Sequence, residues 1–293
     1  MNIRETIESL FGAKTSIISS HIVNGEDINE AALLELSGGE KVFLKTNRDK
    51  DIPFFKAEAD GLKAIEDTRS IRVPRVIAIG KDENKGAFLI MEYIEEVPRV
   101  LDYWERIAND LAKLHRADTL TYVNGGKYGF VKDNYIGSRE QKNIPSNSFI
   151  DFFRNQRLLP RFNEAMPYFD NDMRRRIDKL LEHLERYLVE PKKTSLLHGD
   201  LWGGNFITGS AGCAWLIDPA VYVGCAEADI AMTELFGGFS EAFYKEYGRV
   251  GLLMDGYEDR RDIYNLYHLL NHLILFGRSY YGSVVRIVEY YEG

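Results

Sequence analysis

The sequence has very little cysteine and no long apolar run, and each of these absences excludes a class of protein. Only Cys213 and Cys225 occur in 293 residues, so no disulfide framework is expected and a reducing compartment fits. No stretch approaches the ~20 apolar residues that a membrane-spanning helix needs. The first residues, MNIRETIESLFG, mix charges of both signs, unlike a signal peptide. We therefore expect a soluble, cytoplasmic protein with no membrane partner.

Basic tracts are also absent, and this gives no support for nucleic-acid binding. The chain has 37 Lys and Arg residues against 45 Asp and Glu residues, a formal net charge of −8. An acidic protein of this kind suits a cationic substrate. The composition, 45% hydrophobic and 28% charged, is that of an ordinary globular protein with one large domain or two lobes.

The stretch SLLHGDLWGGNFITGSAGCAWLIDP, residues 195–219, carries three side chains in the order that phosphoryl transfer requires. Asp200 follows a short apolar run, Asn205 comes five positions later, and Asp218 follows a second apolar run. In kinase-like folds the first carboxylate takes the proton of the attacking hydroxyl, while the Asn and the second Asp bind Mg2+. We therefore predict Asp200 as the catalytic base and the other two as metal ligands. The alternative is a β-hairpin with a polar turn, which the preceding His198 and the two flanking strands disfavour.

Upstream of this stretch, about a hundred residues predict a small β-rich lobe. A short helix over residues 3–11 is followed by three strand patterns, TSIISSHIV, INEAALLEL and KVFLKT. The turn between the first two strands is where a kinase-like fold covers the nucleotide phosphates. Four residues of this turn are predicted to bind the nucleotide: Gly25, Asp27, Ile28 and Asn29. Taken alone, the turn is explained equally well as a plain hairpin, because a single glycine makes a poor phosphate loop.

Lys45 ends the strand VFLK, where a lysine among apolar residues would ordinarily lie at a solvated edge. A helix pattern follows, IPFFKAEADGLKAIED, with Glu58 on its first turns. Kinase-like folds pair a strand Lys with a helix Glu to hold the α- and β-phosphates. Asp60 and Glu66 compete for this role. We prefer Glu58 because it lies one turn beyond residues 54–55, towards the predicted buried face.

Residues 73–94 predict two further strands joined by the polar turn KDENKG. Three consecutive residues at the end of the second strand are predicted to meet the adenine edge: Met91, Glu92 and Tyr93. Pro98 marks a boundary. The sequence therefore predicts a nucleotide-binding lobe over residues 1–97 and a catalytic and substrate-binding lobe over residues 98–293.

The second lobe is predicted to be larger and mainly helical, which makes the fold class α+β, two-lobed and protein-kinase-like. Helical spacing is clear over residues 101–118, 149–162, 171–190, 227–236, 240–250 and 260–281. Between the first two of these helices, NGGKYGFVKDNYIGS predicts a loop that is either a recognition segment or an ordinary connection.

Four polar residues of this lobe have both a structural and a functional interpretation. His115 closes an apolar helix face and is interpreted as a packed core histidine. Asp229 lies at the start of a helix, where its carboxylate either caps the helix or braces the backbone of the catalytic loop. His268 and His272 are four apart on one helix, a spacing that can bind metal. Without a third ligand nearby, packed or hydrogen-bonded side chains are the favoured interpretation.

Several strings of the sequence together resemble the fructosamine kinase family: LLHGDLWGGN, IDPA, ADIAMTELFGGFSEAFYKEY and YHLLNHLILFGRSYYGSV. The likeness extends upstream through YGFVKDNYIGS to VFLK and covers nearly the whole chain. Members of this family are ketosamine kinases, related to aminoglycoside phosphotransferases and choline kinases. The HGD-x4-N pattern with a later Asp is common to that superfamily, whereas HGDLWGGN with FGGF and LNH is much narrower.

The resemblance implies a kinase that uses ATP and Mg2+ to phosphorylate a sugar hydroxyl of a ketosamine, the glycation adduct of a small amine or a protein. Three residues are implied to face this substrate: Trp202, Asn134 and His198. The indole of Trp202 either packs against the sugar ring or wedges the catalytic loop in place. Cys225 stands where relatives often have His. We expect a monomer or a weak dimer that binds no nucleic acid.

Two other functions stay open at this point. One is a kinase of the same fold that acts on another small hydroxylated amine, such as an aminoglycoside or a choline-like alcohol; the Trp202 loop and the FGGF string argue against it. The other is a catalytically inactive nucleotide-binding or scaffold protein. The presence of every predicted phosphate, metal and base residue argues against that second alternative.

Overall fold

The computed structural model describes residues 1–23 and 29–293. Three residues predicted to bind the nucleotide, Gly25, Asp27 and Ile28, lie outside the described residues, and their role stays a prediction. No helix within the described ranges is both long enough and apolar enough to cross a membrane.

The elements follow the predicted order, with strands dominant in the first part of the chain and helices in the rest. In chain order they are α1 (Ile3–Phe11), β1 (Ile17–Ile22), β2 (Glu30–Leu36), β3 (Lys41–Asn47), α2 (Ile52–Thr68), β4 (Val76–Asp82), β5 (Gly86–Glu92), α3 (Tyr103–His115), β6 (Asn134–Ile136), β7 (Arg139–Gln141), α4 (Phe149–Phe153), α5 (Leu159–Ala165), α6 (Asn171–Glu182), β8 (Ser195–Leu197), β9 (Phe206–Gly209), β10 (Cys213–Leu216), β11 (Tyr222–Gly224), α7 (Ala226–Leu235), α8 (Glu241–Val250), α9 (Tyr257–Phe276) and α10 (Tyr281–Glu292). The predicted α+β class is confirmed.

The chain forms two compact units, and each of them draws on two separate stretches of sequence. The first unit comprises Met1–Leu101 with Phe206–Asp218, and the second comprises Asp102–Asn205 with Pro219–Gly293. The predicted boundary at residue 97 is close to the observed break. The prediction nevertheless placed the β9–β10 segment in the second lobe, and the structure corrects this.

The β9–β10 hairpin belongs to the first unit because main-chain hydrogen bonds attach it there. The Leu216 N–H donates to the Arg72 carbonyl at 2.8 Å, and the Val97 N–H donates to the Thr208 carbonyl at 2.9 Å. The Arg72 guanidinium also lies over the Trp215 ring, 5.7 Å from its centroid. Asp218, two residues beyond β10, is thereby held in the unit that contains β3.

The first unit is built on a five-stranded sheet in the order β1-β2-β3-β5-β4, with every neighbouring pair antiparallel. One face of this sheet buries apolar side chains against α1, as the period-two pattern of the strands requires. This core consists of Ile3, Ile7, Leu34, Leu36, Val42, Leu44, Phe88 and Ile90. The central position of β3 places Lys45 between two hydrogen-bonded neighbours rather than at an edge.

The second unit is mainly helical, with α3 packed on α8 and α7 packed on α9. Two short antiparallel ladders interrupt the helices, β6 with β7 and β8 with β11. The single helix predicted over residues 149–162 is instead divided, because a π-helical turn at Arg154–Leu158 separates α4 from α5. Strand β8 ends directly before the loop that carries Asp200.

Candidate active site

The loop after β8 is shaped by a glycine and held by a buried carboxylate. Gly199 has φ +83°, a left-handed conformation, and a Cβ atom at this position would collide with the Ala220 carbonyl oxygen. Asp229, on the first turn of α7, accepts the His198 N–H at 2.7 Å and the Gly199 N–H at 2.9 Å. Of the two roles predicted for Asp229, the structure therefore shows the brace on the catalytic-loop backbone.

Asp229 is linked in turn to two buried aromatic side chains. The His115 Nε2 atom lies 3.1 Å from the Asp229 Oδ2 atom, and the His115 Nδ1 atom lies 2.6 Å from the Tyr247 hydroxyl. Since a carboxylate only accepts, the Nε2 N–H donates to Asp229. The interpretation of His115 as a packed core histidine is confirmed, and α3 and α8 both support the loop through it.

The charge of Asp229 is stabilised inside the protein. Burial by itself raises the pKa of its carboxyl group, but the hydrogen bond and charge of His115 and the N–H of Gly199 outweigh burial. The pKa of Asp229 therefore lies below its usual value, and the group is a carboxylate at neutral pH.

Asp200 and Asn205 lie together on this loop. The Asn205 Nδ2 atom donates to the Asp200 carbonyl at 2.8 Å and to the Asp200 Oδ2 atom at 3.2 Å. Both of these bonds use the Nδ2 atom of Asn205. Neither uses Oδ1, the atom through which an amide binds a metal ion. The Asp200 side chain is 22% exposed, which allows it to meet a bound molecule.

Two residues implied to face the substrate are instead buried in the protein's own hydrogen bonds. His198 is fully buried, and its Nδ1 atom accepts the Asp200 N–H at 3.3 Å. Asn134 is also buried; its Nδ2 atom donates to the Val221 carbonyl, and its Oδ1 atom accepts from Gln141 and Asn143. Both side chains therefore hold backbone groups of this unit, the Asp200 N–H and the Val221 carbonyl, and their contact with a substrate stays a prediction.

Trp202 keeps both of its predicted interpretations. Its side chain is 38% exposed, and its ring lies where a side chain on Gly204 would have to go. The ring also meets the Phe236 ring edge to face, with the centroids 6.3 Å apart.

Nearby, Gly203 and Gly238 approach so closely that a Cβ atom on Gly238 would lie 2.7 Å from the Gly203 Cα atom. Gly203 of HGDLWGGN and Gly238 of FGGF therefore allow a backbone contact between two loops.

The position of one side chain beside Asp200, that of His268, was not predicted from the sequence. The His268 Nδ1 atom of α9 lies 3.7 Å from the Asp200 Oδ1 atom. Asn271 and His272 follow on the same face of this helix. The available signal was the helical spacing of His268, Asn271 and His272 within the apolar second half of α9. For the two histidines the favoured interpretation was a packed or hydrogen-bonded side chain. In the part of the chain that the structure describes, no group of three or more His, Cys, Asp or Glu side chains could hold a metal ion.

In the first unit, Lys45 is almost fully buried and forms two ion pairs. Its Nζ atom lies 3.0 Å from the Glu58 Oε1 atom, and it also contacts the Asp218 carboxylate. The competing acids of α2 pair with lysines of that helix instead, Asp60 with Lys56 and Glu66 with Lys63. The preference for Glu58 as the partner of Lys45 is confirmed.

Asp218 has an unusual backbone conformation for this position. Its φ of +55° is left-handed, which costs a non-glycine residue about 1–3 kcal/mol. Such strain persists only where the surroundings enforce it, and here the ion pair with Lys45 and the attached β9–β10 hairpin do so. The carboxylate is thereby held beside the lysine while 28% of its side chain stays exposed.

The remaining residues predicted to bind the nucleotide lie in or beside the sheet. Met91 and Glu92 end β5, and the Glu92 N–H donates to the Arg75 carbonyl. The side chain of Asn29 accepts from the Asn47 Nδ2 atom at 3.0 Å. Contact of these residues, and of Tyr93, with a nucleotide stays a prediction.

Cys225, whose role the sequence left open, is buried at the start of α7. Burial raises the pKa of its thiol to about 12, with a smaller contribution from Glu227 in the same direction. The side chain is therefore a neutral thiol that packs near the Tyr264 hydroxyl.

A strand lysine paired with a helix glutamate, an HGD-x4-N loop and a following aspartate, within an α+β fold, define a phosphotransferase of the protein-kinase-like class. The chain belongs to the fructosamine kinase family, whose model, described as "Fructosamine kinase", matches residues 1–291. It is thus an enzyme that transfers a phosphoryl group to a hydroxyl group, as the resemblance of its motifs implied.

Individual relatives support the same membership. The chain is 36% identical to a probable ketoamine kinase of Synechocystis, over 95% of this chain and 92% of the relative. It is also 36% identical to a chloroplastic protein-ribulosamine 3-kinase of Arabidopsis thaliana, over 96% and 84% of the two chains. The crystal structure of a Haemophilus somnus protein described as a "Putative fructosamine-3-kinase" superposes with a TM-score of 0.84 at 28% identity, covering 98% and 96% of the two chains.

Replacing the brace tests its importance for the loop. In Asp229→Asn one carboxylate oxygen becomes an NH2 group, which cannot accept from the loop or from His115, and we expect a loss of about 1–3 kcal/mol in unfolding free energy. Hydrogen exchange at the His198 and Gly199 amides should accelerate. The wild type should lose this stabilisation as the pH falls through the lowered pKa of Asp229, and the variant should not.

The control for this comparison is Asp172→Asn, an exposed carboxylate on α6 that pairs with Arg175 and Arg176. Its unfolding free energy should change by less than about 0.5 kcal/mol in urea titrations. Unaltered exchange at the His198 and Gly199 amides in the Asp229 variant would show that the brace is dispensable.

Proposed function

We propose that this enzyme transfers the γ-phosphoryl group of ATP to a sugar hydroxyl of a ketosamine, with Mg2+ as the metal ion. The observation that carries the proposal is the loop of Asp200: a partly exposed carboxylate on a backbone held by the buried Asp229 and accompanied by Asn205. A fixed carboxylate of this kind can orient a hydroxyl and accept its proton as the phosphoryl group arrives.

Asp200 is suited to act as this base because its carboxylate is partly exposed on a loop that other groups hold in place. Asn205 donates to Oδ2, and the loop backbone is fixed by hydrogen bonds that do not involve the Asp200 carboxylate. Its position therefore does not depend on the acceptor being bound. Preorganisation of this kind lowers the barrier without a cost at the moment of reaction.

Lys45 and Asp218 are proposed to hold the nucleotide phosphates and the metal. The buried Lys45 is fixed by Glu58, so that it presents its charge to the phosphates as it now does to Asp218. Oxygen donors of Asp218 and Asn205 fit the preference of Mg2+, which usually binds one or two carboxylates together with substrate phosphates. The bound metal ion would neutralise the charge of those phosphates.

The ketosamine acceptor is proposed from the family and from charge. Relatives that align over nearly the whole chain are named a probable ketoamine kinase and a protein-ribulosamine 3-kinase, so a sugar joined to an amine is the acceptor class that these names share. The amine of a ketosamine is cationic when protonated, and the net charge of −8 suits it. A scaffold function leaves unexplained why the buried Lys45 is paired with both Glu58 and Asp218.

The base is tested by Asp200→Asn. The amide keeps the shape of the carboxylate but cannot take the hydroxyl proton, so kcat with a ketosamine should fall by about 10²–10⁴-fold. ATP affinity and the melting temperature should stay close to those of the wild type. Steady-state kinetics, with Asp172→Asn as the matched control, make the comparison. A variant that retains wild-type kcat would show that another group is the base.

The metal role is tested by Asp218→Ala. This change removes the carboxylate proposed to bind Mg2+, and activity at ordinary Mg2+ concentrations should be abolished. Titration of the rate with Mg2+ and Mn2+ is the measurement, with Asp262→Ala on α9 as an exposed control. Wild-type activity at the same Mg2+ concentration would rule out Asp218 as a ligand.

A further inference from the structure

One face of α9 carries buried polar groups that the protein itself does not satisfy. Among the described residues, no hydrogen-bond partner exists for the His268 Nδ1 atom, for either amide atom of Asn271, or for either ring nitrogen of His272. His268 is 5% exposed and Asn271 is 3% exposed. A buried polar group without a partner destabilises the folded state, so several on one helix face require an explanation.

One of these residues, His268, lies beside the proposed base. The 3.7 Å between the His268 Nδ1 atom and the Asp200 Oδ1 atom is too long for a hydrogen bond, yet a hydroxyl bound to Asp200 would come close to both. Burial, with a smaller contribution from the charge of His272, lowers the pKa of His268 to about 3. The ring is therefore neutral and can both donate to and accept from hydroxyl groups.

A wall of aromatic rings borders the same face. The His272 ring meets the Phe236 ring with centroids 4.7 Å apart and stacks on the Tyr280 ring at 5.0 Å. The Phe236 ring in turn meets Trp202, on the loop of Asp200. Sugars combine apolar C–H faces with hydroxyl edges, and a site with rings on one side and polar groups on another matches both.

We propose that His268 and Asn271 bind the hydroxyl groups adjacent to the one that Asp200 deprotonates, and so select a polyhydroxylated acceptor. This inference rests on the proposed function and adds the residues that recognise the sugar. The Asn271 amide can donate to one hydroxyl and accept from its neighbour, and the neutral His268 ring supplies a further partner. A site that hydrogen-bonds a substrate hydroxyl discriminates strongly against analogues that lack it, because its own polar groups are then left unpaired.

A purely structural role does not account for these side chains. A polar residue that stabilises the fold finds its partner within the fold, as Tyr267 on the same helix does through its 2.7 Å hydrogen bond to Gln141. The Asn271 amide lies near the Tyr267 hydroxyl without forming a hydrogen bond of adequate geometry.

The test uses His268→Phe and Asn271→Leu in the full-length enzyme. Each variant is assayed with a ketosamine and with the same ketosamine in which a hydroxyl adjacent to the phosphorylated one is replaced by hydrogen. With the complete acceptor, kcat/KM should fall about tenfold in each variant, mainly through KM. With the deoxy acceptor the loss should largely disappear for the residue that binds that hydroxyl. Melting temperature should be unchanged or higher, because an unpaired polar group has been removed.

The matched control is His183→Phe, the same substitution beyond the end of α6, near Glu292. It should leave the KM for the ketosamine unchanged. The inference is overturned if both α9 variants keep the wild-type KM, or if they lose the complete and the deoxy acceptor equally together with ATP affinity and thermal stability. If the wild type phosphorylates the ketosamine and both α9 variants keep its KM, only this inference is wrong. If the wild type does not phosphorylate the ketosamine at all, the proposed function is wrong as well.

Discussion

The arrangement around Asp200 depends on one buried carboxylate, that of Asp229. It accepts two successive N–H groups of the loop and a hydrogen bond from His115, so one anion satisfies three buried donors. Hydrogen bonds to an ionised acceptor are roughly twice as strong as neutral ones, which fixes the loop backbone without any ligand. The orientation of Asp200 follows from that backbone. The left-handed Gly199 allows the chain to pass the Ala220 carbonyl and reach this position.

The same stretch of sequence serves both units of the molecule. Residues up to Asn205 belong to the helical unit, and the segment from Phe206 to Asp218 belongs to the unit with the five-stranded sheet. Each unit thus holds its own part of the proposed chemistry: the proposed base in one, and in the other Lys45 with Asp218, which are proposed to hold the phosphates and the metal ion. In the helical unit, charge-assisted hydrogen bonds to Asp229 fix the loop that carries Asp200. In the other unit, the ion pair with Glu58 fixes Lys45.

Local spacing was sufficient to predict the elements and the motif residues, because helical and strand periodicity, and the pairing of Lys45 with Glu58, follow from short-range pattern. It was not sufficient for His198 and Asn134, whose burial depends on remote partners; Asn134 donates to Val221, 87 positions away. The same reason applies to the α9 histidines, for which the spacing favours packed or hydrogen-bonded side chains. Only the folded chain shows that His268 lies beside Asp200 and that its Nδ1 atom has no hydrogen-bond partner among the described residues.

The central claim is that this phosphotransferase acts on a ketosamine. Its most direct test measures ATP consumption by the wild-type enzyme with Mg2+ in parallel reactions that contain a glycated amine, an aminoglycoside or choline. The account predicts rapid consumption with the glycated amine, a phosphorylated sugar hydroxyl as its product, and rates at least about 10²-fold lower with the other acceptors, as expected for a site that binds substrate hydroxyls. Preferential phosphorylation of the aminoglycoside or of choline, or no consumption with any acceptor, would contradict it.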